Sequence, residues 1–274
     1  MAIKKELKGA ADAVEDASNS RVFVVAARTG FTVSGILHVL IGIIAIQLAF
    51  GKAREADQGG AMGELAAQPA GHILLWMGAA ACAALGLWQL SEVVFGYRNL
   101  KKKTMLQKKL SAAGQGLVFL VLAVAFASFA AGQGKDSGET TSDSSIQIMK
   151  APFGPQLLIA VGVVVAVVGI VFAVRGMLAS FTKQLDMPAS KTLRMVVTIL
   201  GVVGYVAKGI ALFLVGLLFI VTTMQASPEE STGLDGALKA VREQPYGLYL
   251  LTLVGAGLIC YGFYQIAKSK FVRM

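Results

Sequence analysis

Charged residues are scarce in this sequence: they make up 15% of its 274 residues, against roughly 25% in an average soluble domain. Hydrophobic residues account for 55%, and the mean hydropathy is +0.68. So large an apolar excess is better explained by surface that faces lipid than by an aqueous core. The composition therefore argues against an ordinary cytoplasmic enzyme and predicts an integral membrane protein.

Cysteine and histidine are also scarce, with two of each, and the usual chemical motifs are missing. The sequence contains no Cys-x-x-Cys, His-Glu-x-x-His, phosphate-binding loop or Gly-x-Ser-x-Gly. Cys82 and Cys260 have no nearby partner at metal-ligand spacing. His38 and His72 differ in predicted depth by roughly 18 Å and so cannot bind one haem together. We therefore predict no catalytic residue, metal or cofactor, and no enzymatic activity.

Long apolar stretches are abundant. Six of them lack Asp, Glu, Lys and Arg and are long enough to cross about 30 Å of hydrocarbon as helices. The fifth extends back across Lys208, which alone interrupts it. We predict transmembrane helices near residues 22–50, 70–97, 110–131, 153–177, 195–224 and 246–267.

The distribution of basic residues predicts the orientation. Of the 25 Lys and Arg, 18 lie before the first apolar stretch, between stretches 2 and 3, between stretches 4 and 5, or after the sixth. By the positive-inside rule both termini are cytoplasmic. The net charge of +9 then reflects topology and attraction to anionic inner-leaflet lipid, and nucleic acid is not an expected partner. Residues 1–20 do not resemble a signal peptide, so we expect the first span to be retained.

The spans repeat as three hairpins. Gly35, Gly116 and Gly209 fall in register in the odd-numbered spans. Each even-numbered span begins with a proline and, two residues later, a glycine, and a second glycine follows fifteen residues on, at Gly86, Gly169 and Gly262. Each copy crosses twice and so enters from the same side, which predicts pseudo-threefold symmetry along the membrane normal. The glycines allow helix backbones to approach closely.

The predicted architecture is thus all-α, with three hairpins separated by short connections. The segments are an N-terminal cytoplasmic segment 1–21, repeat 1 at 22–97, a basic cytoplasmic loop 98–109, repeat 2 at 110–178, a cytoplasmic loop 179–194, repeat 3 at 195–268 and a cytoplasmic tail 269–274. Apolar spacings at residues 63–67, 145–149 and 234–241 could form small helices lying at the outer surface.

Three motifs add a family resemblance. They are Arg28-Thr-Gly30-Phe31, Gly204-Tyr-Val-Ala-Lys-Gly209, and Gly233-Leu-Asp-Gly-Ala-Leu near Gln-Pro-Tyr-Gly247. With the three hairpins, they resemble the bacterial domain-of-unknown-function 1206 family, found mostly in actinobacteria, over about residues 22–268. The resemblance supports the fold, implies no particular activity, and implies a bacterial plasma (inner) membrane.

A few polar residues inside the spans form the candidate site. Ser34, Gln115 and Lys208 each directly precede the shared glycine, roughly halfway along a span. A charge at this depth costs about 2.5–3.5 kcal/mol and usually faces a bundle interior or a water-filled cavity. Lys208 could snorkel to the inner headgroups. It could instead form a ring with Ser34 and Gln115 that binds an anion or lipid headgroup, or pair with a partner protein.

Further candidates lie elsewhere in the chain. Gln89 and Gln265 align in the repeat register, which predicts interhelical hydrogen bonds or a pore-lining layer. His38 is interpreted as a hydrogen-bonded packing residue, with a ligand or proton relay as the alternative. The candidate contacts for anionic lipid are Lys101, Lys102, Lys103 and Arg194.

Three functions remain open on these observations. The first is a non-enzymatic interaction or assembly module, whose partner is another membrane protein or a second copy of the chain. The second is a small transporter or channel with an anion-favouring polar path at Lys208. The third is lipid binding. A water-sized cavity reaching Lys208 would favour transport, whereas a closed centre would favour assembly.

Overall fold

The computed structural model describes residues 21–52, 55–95, 102–135, 137–227, 230 and 233–272. The predicted N-terminal segment, apart from Arg21, and Lys101 of the basic cluster lie outside them. The described residues form nine α-helices and a 3₁₀ turn at Ser180–Gln184. The helices are α1 (Arg21–Ala49), α2 (Gln58–Ala66), α3 (Gly71–Phe95), α4 (Lys102–Ala130), α5 (Ser137–Met149), α6 (Gly154–Met177), α7 (Lys191–Met224), α8 (Gly233–Arg242) and α9 (Gly247–Phe271).

Six of these helices, α1, α3, α4, α6, α7 and α9, are long and apolar enough to span a membrane. The predicted all-α fold with six transmembrane helices is therefore confirmed.

Two helices begin earlier than expected, α4 at Lys102 and α7 at Lys191. Residues 102–109, predicted as loop, are helical because Lys, Met, Leu and Gln are good helix formers. At α7, the Ser190 side chain accepts a hydrogen bond from the Leu193 N–H.

The short helices α2, α5 and α8 lie together at one end of the bundle, which we call the capped end, because α5 contacts both α2 and α8. Two buried carboxylates organise it. Asp57 caps α2 by accepting the Gly60 N–H at 2.8 Å. Asp235 of α8 accepts the Ala56 N–H at 2.9 Å and forms an ion pair with Lys239. Segments far apart in sequence are thereby joined into one layer over the long helices.

The three tightest helix pairs all join different repeats. They are α1 with α9, α3 with α4, and α6 with α7, and each pair combines helices from neighbouring or terminal repeats rather than the two helices of one hairpin. A Cβ added to Gly35 would lie 2.7 Å from the Gly262 carbonyl oxygen. One added to Gly209 would lie 2.6 Å from the Gly169 carbonyl oxygen. The glycines in repeat register therefore face each other in pairs and bring neighbouring repeats into backbone contact.

The ring of helices is open on one side. Within repeats, α1 packs against α3 and α7 packs against α9, whereas contact between α4 and α6 is marginal at most. These two helices also bury the smallest share of their apolar windows, 22% for α4 and 17% for α6. These two helices therefore leave the largest shares of their apolar windows uncovered.

The end of the bundle opposite the capped end is filled by aromatic side chains from α7, α9 and the 3₁₀ turn. We call Phe181, Tyr205, Tyr261 and Tyr264 the aromatic plug; each is at most 4% exposed. Phe181 stacks on Tyr205 with ring centroids 5.1 Å apart, and Tyr261 and Tyr264 of α9 meet Tyr205 edge-on at 5.4 Å. Such arrangements are favourable for aromatic pairs. The plug packs α7 against α9 at this end.

Candidate functional site

A cavity of about 290 Å³ runs from the capped end into the bundle and reaches Lys208. Its walls come from α1, α7 and α9, and its mouth lies among the short helices. Asp57 is the one carboxylate among its described lining residues, and it is already engaged at the N-terminus of α2. The polar side chains of the lining are His38, Asp57, Gln58, Ser137, Thr141 and Lys208.

Lys208 is held at the inner end of this cavity by aromatic rings and a histidine. Its Nζ lies 4.5 Å from the ring centroid of Tyr261 and 5.5 Å from that of Phe172, both within cation–π range. It also donates a hydrogen bond of 3.1 Å to His38 Nε2. In the described part of the chain no carboxylate pairs with Lys208, and Lys268 adds a like charge to its surroundings.

The hydrogen bonds of His38 determine which of its nitrogens carries the proton. Nδ1 lies 2.7 Å from the Ser34 carbonyl oxygen, which can only accept, so Nδ1 is the donor. Nε2 of the neutral ring then has a free lone pair, and this lone pair accepts from Lys208. The ring of Tyr261 packs against His38 at 4.8 Å. His38 therefore orients the ammonium group but supplies no negative charge to neutralise it.

Gln115 lies outside the cavity lining. It is exposed on α4, where its Oε1 accepts a 2.8 Å hydrogen bond from Gln89 Nε2 of α3. Its own Nε2 donates to Ser111. The predicted ring of Ser34, Gln115 and Lys208 is therefore not formed, because Gln115 of α4 is hydrogen-bonded to Gln89 of α3 instead.

Ser34 and Gln265 line a second, narrower cavity of about 110 Å³ beside the first. Gln265 is buried, and its Oε1 has no hydrogen-bond partner among the described residues. His38 and Gln58 line both cavities. The two spaces are therefore adjacent.

The candidate lipid contacts lie away from both cavities as far as they are described. Arg194 is exposed near the start of α7, and its guanidinium donates to the Pro188 carbonyl oxygen at 3.3 and 3.4 Å. Lys102 and Lys103 belong to the first turn of α4. Lipid binding by these residues stays a prediction.

Sequence reasoning missed several residues of the site. Asp57 carried an N-cap signal that could have located the start of α2, although not its burial. Tyr261 directly precedes the register glycine Gly262, just as Lys208 precedes Gly209. Because each of these residues directly precedes a register glycine, its side chain lies beside a close contact between two helices. Gln58 carried no signal in the sequence.

Within the described residues, no group of three His, Cys, Asp or Glu side chains could hold a metal ion.

Comparison with known proteins identifies the repeats. A family model described as "Domain of Unknown Function (DUF1206)" matches three segments, residues 29–96, 110–179 and 203–271. Each segment covers most of one predicted hairpin. The chain is 29% identical over 253 residues to "Uncharacterized protein YxxB" of Bacillus subtilis (strain 168), a match that covers 90% of each chain. No solved structure matches.

Proposed function

The chain belongs to the DUF1206 family, and we propose that it binds a small anion in the cavity at Lys208 as a step in transport. One observation carries the proposal: a lysine in the middle of a spanning helix faces a 290 Å³ cavity without a carboxylate partner among the described residues. No chemical step is involved. The binding function requires only that the cavity and its cation be accessible from one side.

The contacts of Lys208 stabilise its charge but leave it available to an anion. A charged side chain at mid-membrane costs about 2.5–3.5 kcal/mol on insertion scales. Cation–π contacts with Tyr261 and Phe172 return about 1–2 kcal/mol in a desolvated site. The hydrogen bond to neutral His38 adds about 1.5–3 kcal/mol, because one partner is charged. These contacts stabilise the ammonium without neutralising it, so an entering anion gains both charge attraction and hydrogen bonds from Nζ.

The arrangement of the cavity supports one-sided access. Its mouth lies at the capped end, where Ser137 and Thr141 are among the lining residues. On the other side of Lys208, Tyr261 belongs to both the cation–π contact and the aromatic plug. Because the aromatic plug fills this end, we favour a transporter whose binding site opens to one side over a channel that is open to both sides. With the predicted orientation, the mouth faces the outside of the cell.

The proposal is tested by anion binding to the protein in lipid nanodiscs. Acetate and inorganic phosphate are titrated calorimetrically against wild type, Lys208→Gln and Lys208→Arg. Lys208→Gln should weaken binding by at least about tenfold, since it removes a charge-assisted hydrogen bond. Lys208→Arg should retain binding. Lys150→Gln, which removes a charge at an exposed position of the capped end, is the matched control. Wild-type affinity in Lys208→Gln, or no anion binding by wild type, would contradict the proposal.

Assembly is a second candidate function, favoured by the open side between α4 and α6. Val124 of α4 and Val164 of α6 are 67% and 60% exposed. A second copy or another membrane protein seated there would bring these positions to an interface. Cysteine at either position should then cross-link in native membranes. Leu253→Cys on α9, where Leu253 is 69% exposed, is the control. Equal cross-linking at all three positions would indicate random collision and contradict a specific interface.

A further inference from the structure

The narrow cavity beside the Lys208 cavity has a wall that is mostly apolar. It lies between α1, α3 and α4, and we call it the tail chamber. Its apolar lining includes Leu37, Cys82, Leu85, Phe119, Leu122 and Phe126. The polar side chains of its lining are Ser34, His38, Gln58 and Gln265. A hydrocarbon group placed against the apolar part of the wall gains free energy by leaving water. The apolar part of the chamber is thus suited to a hydrocarbon group.

The lining of the tail chamber extends along two helices. On α1 it runs from Gly30 to His38, about 12 Å at 1.5 Å per residue. On α3 it runs from Gly78 to Leu85, about 10 Å. The volume of about 110 Å³ corresponds to between three and four groups of roughly 30 Å³, the volume of a water molecule in the liquid. We expect so small a space with so extended a lining to accept a short unbranched hydrocarbon better than a ring.

The tail chamber adjoins the site of the cation. His38 and Gln58 line both cavities, and His38 Nε2 is the atom to which Lys208 donates. We infer from this adjacency that a ligand whose charged group binds Lys208 reaches the chamber beside the His38 and Gln58 side chains. His38 and Gln58 therefore belong to the walls of both cavities.

We propose that the anion bound at Lys208 is amphipathic: a carboxylate with a short unbranched hydrocarbon tail. The carboxylate accepts hydrogen bonds from Lys208 Nζ, and the tail occupies the tail chamber. This inference rests on the proposed function, since it assumes that an anion binds at Lys208. It adds the chemical class of the ligand and a second subsite.

A chain-length series tests the proposal. Straight-chain carboxylates from acetate to octanoate are titrated against the protein in nanodiscs, with empty nanodiscs measured in parallel to subtract partitioning into lipid. Affinity should rise about fourfold for each methylene that enters the chamber. The rise should stop after roughly four carbons, when the chamber is full. Pivalate, whose branched tail does not fit, should bind no better than acetate.

Two substitutions locate the tail. Cys82→Met adds bulk to the chamber wall, so affinity should stop rising at a tail that is one or more carbons shorter. Leu122→Ala enlarges the chamber, so affinity should continue to rise to a longer tail. Cys260→Met, at the other free cysteine and outside both linings, is the matched control and should leave the series unchanged. Acetate affinity should be the same in all three variants, which also verifies that each variant is folded.

The outcomes separate this inference from the proposed function. A flat chain-length series, with acetate binding that Lys208→Gln abolishes, would overturn the tail chamber and leave the anion site standing. A rising series that Cys82→Met and Leu122→Ala leave unchanged would also overturn it, because the tail would then lie elsewhere. A rise that depends on Cys82 and Leu122 but not on Lys208 would overturn the anion site instead.

Discussion

At the scale of single residues, Lys208 shows how a buried charge is stabilised without a counterion. Its ammonium contacts two aromatic rings and one imidazole lone pair. Tyr261 has a double role, because the same ring contacts Lys208, His38 and the aromatic plug. The position of the cation and the packing of the plug are therefore coupled through one side chain.

We expect Tyr261→Leu to destabilise the fold by about 2 kcal/mol or more, because it removes a buried ring as well as the cation–π contact. Tyr261→Phe keeps the ring and should cost less than about 1 kcal/mol. Chemical unfolding in mild detergent measures both. In a Lys208→Met background the cost of Tyr261→Leu should fall by about 1–2 kcal/mol. Strictly additive effects would show that the ring and the ammonium do not interact.

At the scale of helices, glycine determines which elements pair. Gly35 and Gly42 of α1 meet Gly262 and Gly255 of α9, so the first and last spans of the chain become neighbours. The same pattern holds between α6 and α7. Because lipid provides no hydrophobic drive between helices, close van der Waals contact at small residues selects the partner.

Gly262→Ala should therefore destabilise the bundle by about 1–3 kcal/mol, the usual cost of overpacking. An added Cβ would lie 2.5 Å from the Gly35 carbonyl oxygen, and backbone atoms cannot move aside as a flexible side chain can. Gly114→Ala in α4 is the control, since nothing lies within 4 Å of its added Cβ. It should be neutral or stabilising by up to about 1 kcal/mol. Thermal unfolding compares the two, and equal losses would contradict packing at Gly262 as the cause.

Part of this helix arrangement was predictable. The register of Gly35, Gly116 and Gly209 along the sequence indicated three equivalent close contacts. The partner of each glycine was not predictable, because a glycine marks where a helix can be approached but not which helix approaches it. Gln89 and Gln115 illustrate the same limit: both were candidates, and only their position in the α3–α4 pair showed that they bond to each other.

At the scale of the whole molecule, the two ends of the bundle differ. The capped end holds three short helices and the cavity mouth, whereas the opposite end holds the aromatic plug. Asp235 links α8 to the segment before α2, so repeats 1 and 3 are joined at the capped end as well as through α1 and α9. The side of the membrane from which the cavity is lined by the short helices therefore depends on which way the capped end faces.

The basic residues predict that the capped end faces outward. With Cys82 and Cys260 replaced by alanine, Ser144→Cys of α5 should react with a membrane-impermeant maleimide on intact cells. Lys183→Cys, in the 3₁₀ turn at the opposite end, should react only after permeabilisation. Both native side chains are exposed, so a difference in labelling between the two positions would reflect the side of the membrane and not burial. The reverse labelling pattern would invert the topology and place the cavity mouth in the cytoplasm.

The sequence by itself determined the spans and the three repeats, and it singled out Lys208 as a candidate. It could do so because an apolar stretch in lipid must satisfy its backbone internally, which leaves a helix as the form of each span. Only the tertiary structure decided that repeats pair with their neighbours, that Gln115 lies apart, and that a cavity adjoins the cation. Lys208 and His38 are 170 residues apart in the chain. Their contact depends on how small-residue faces fit together, which no pattern within one helix encodes.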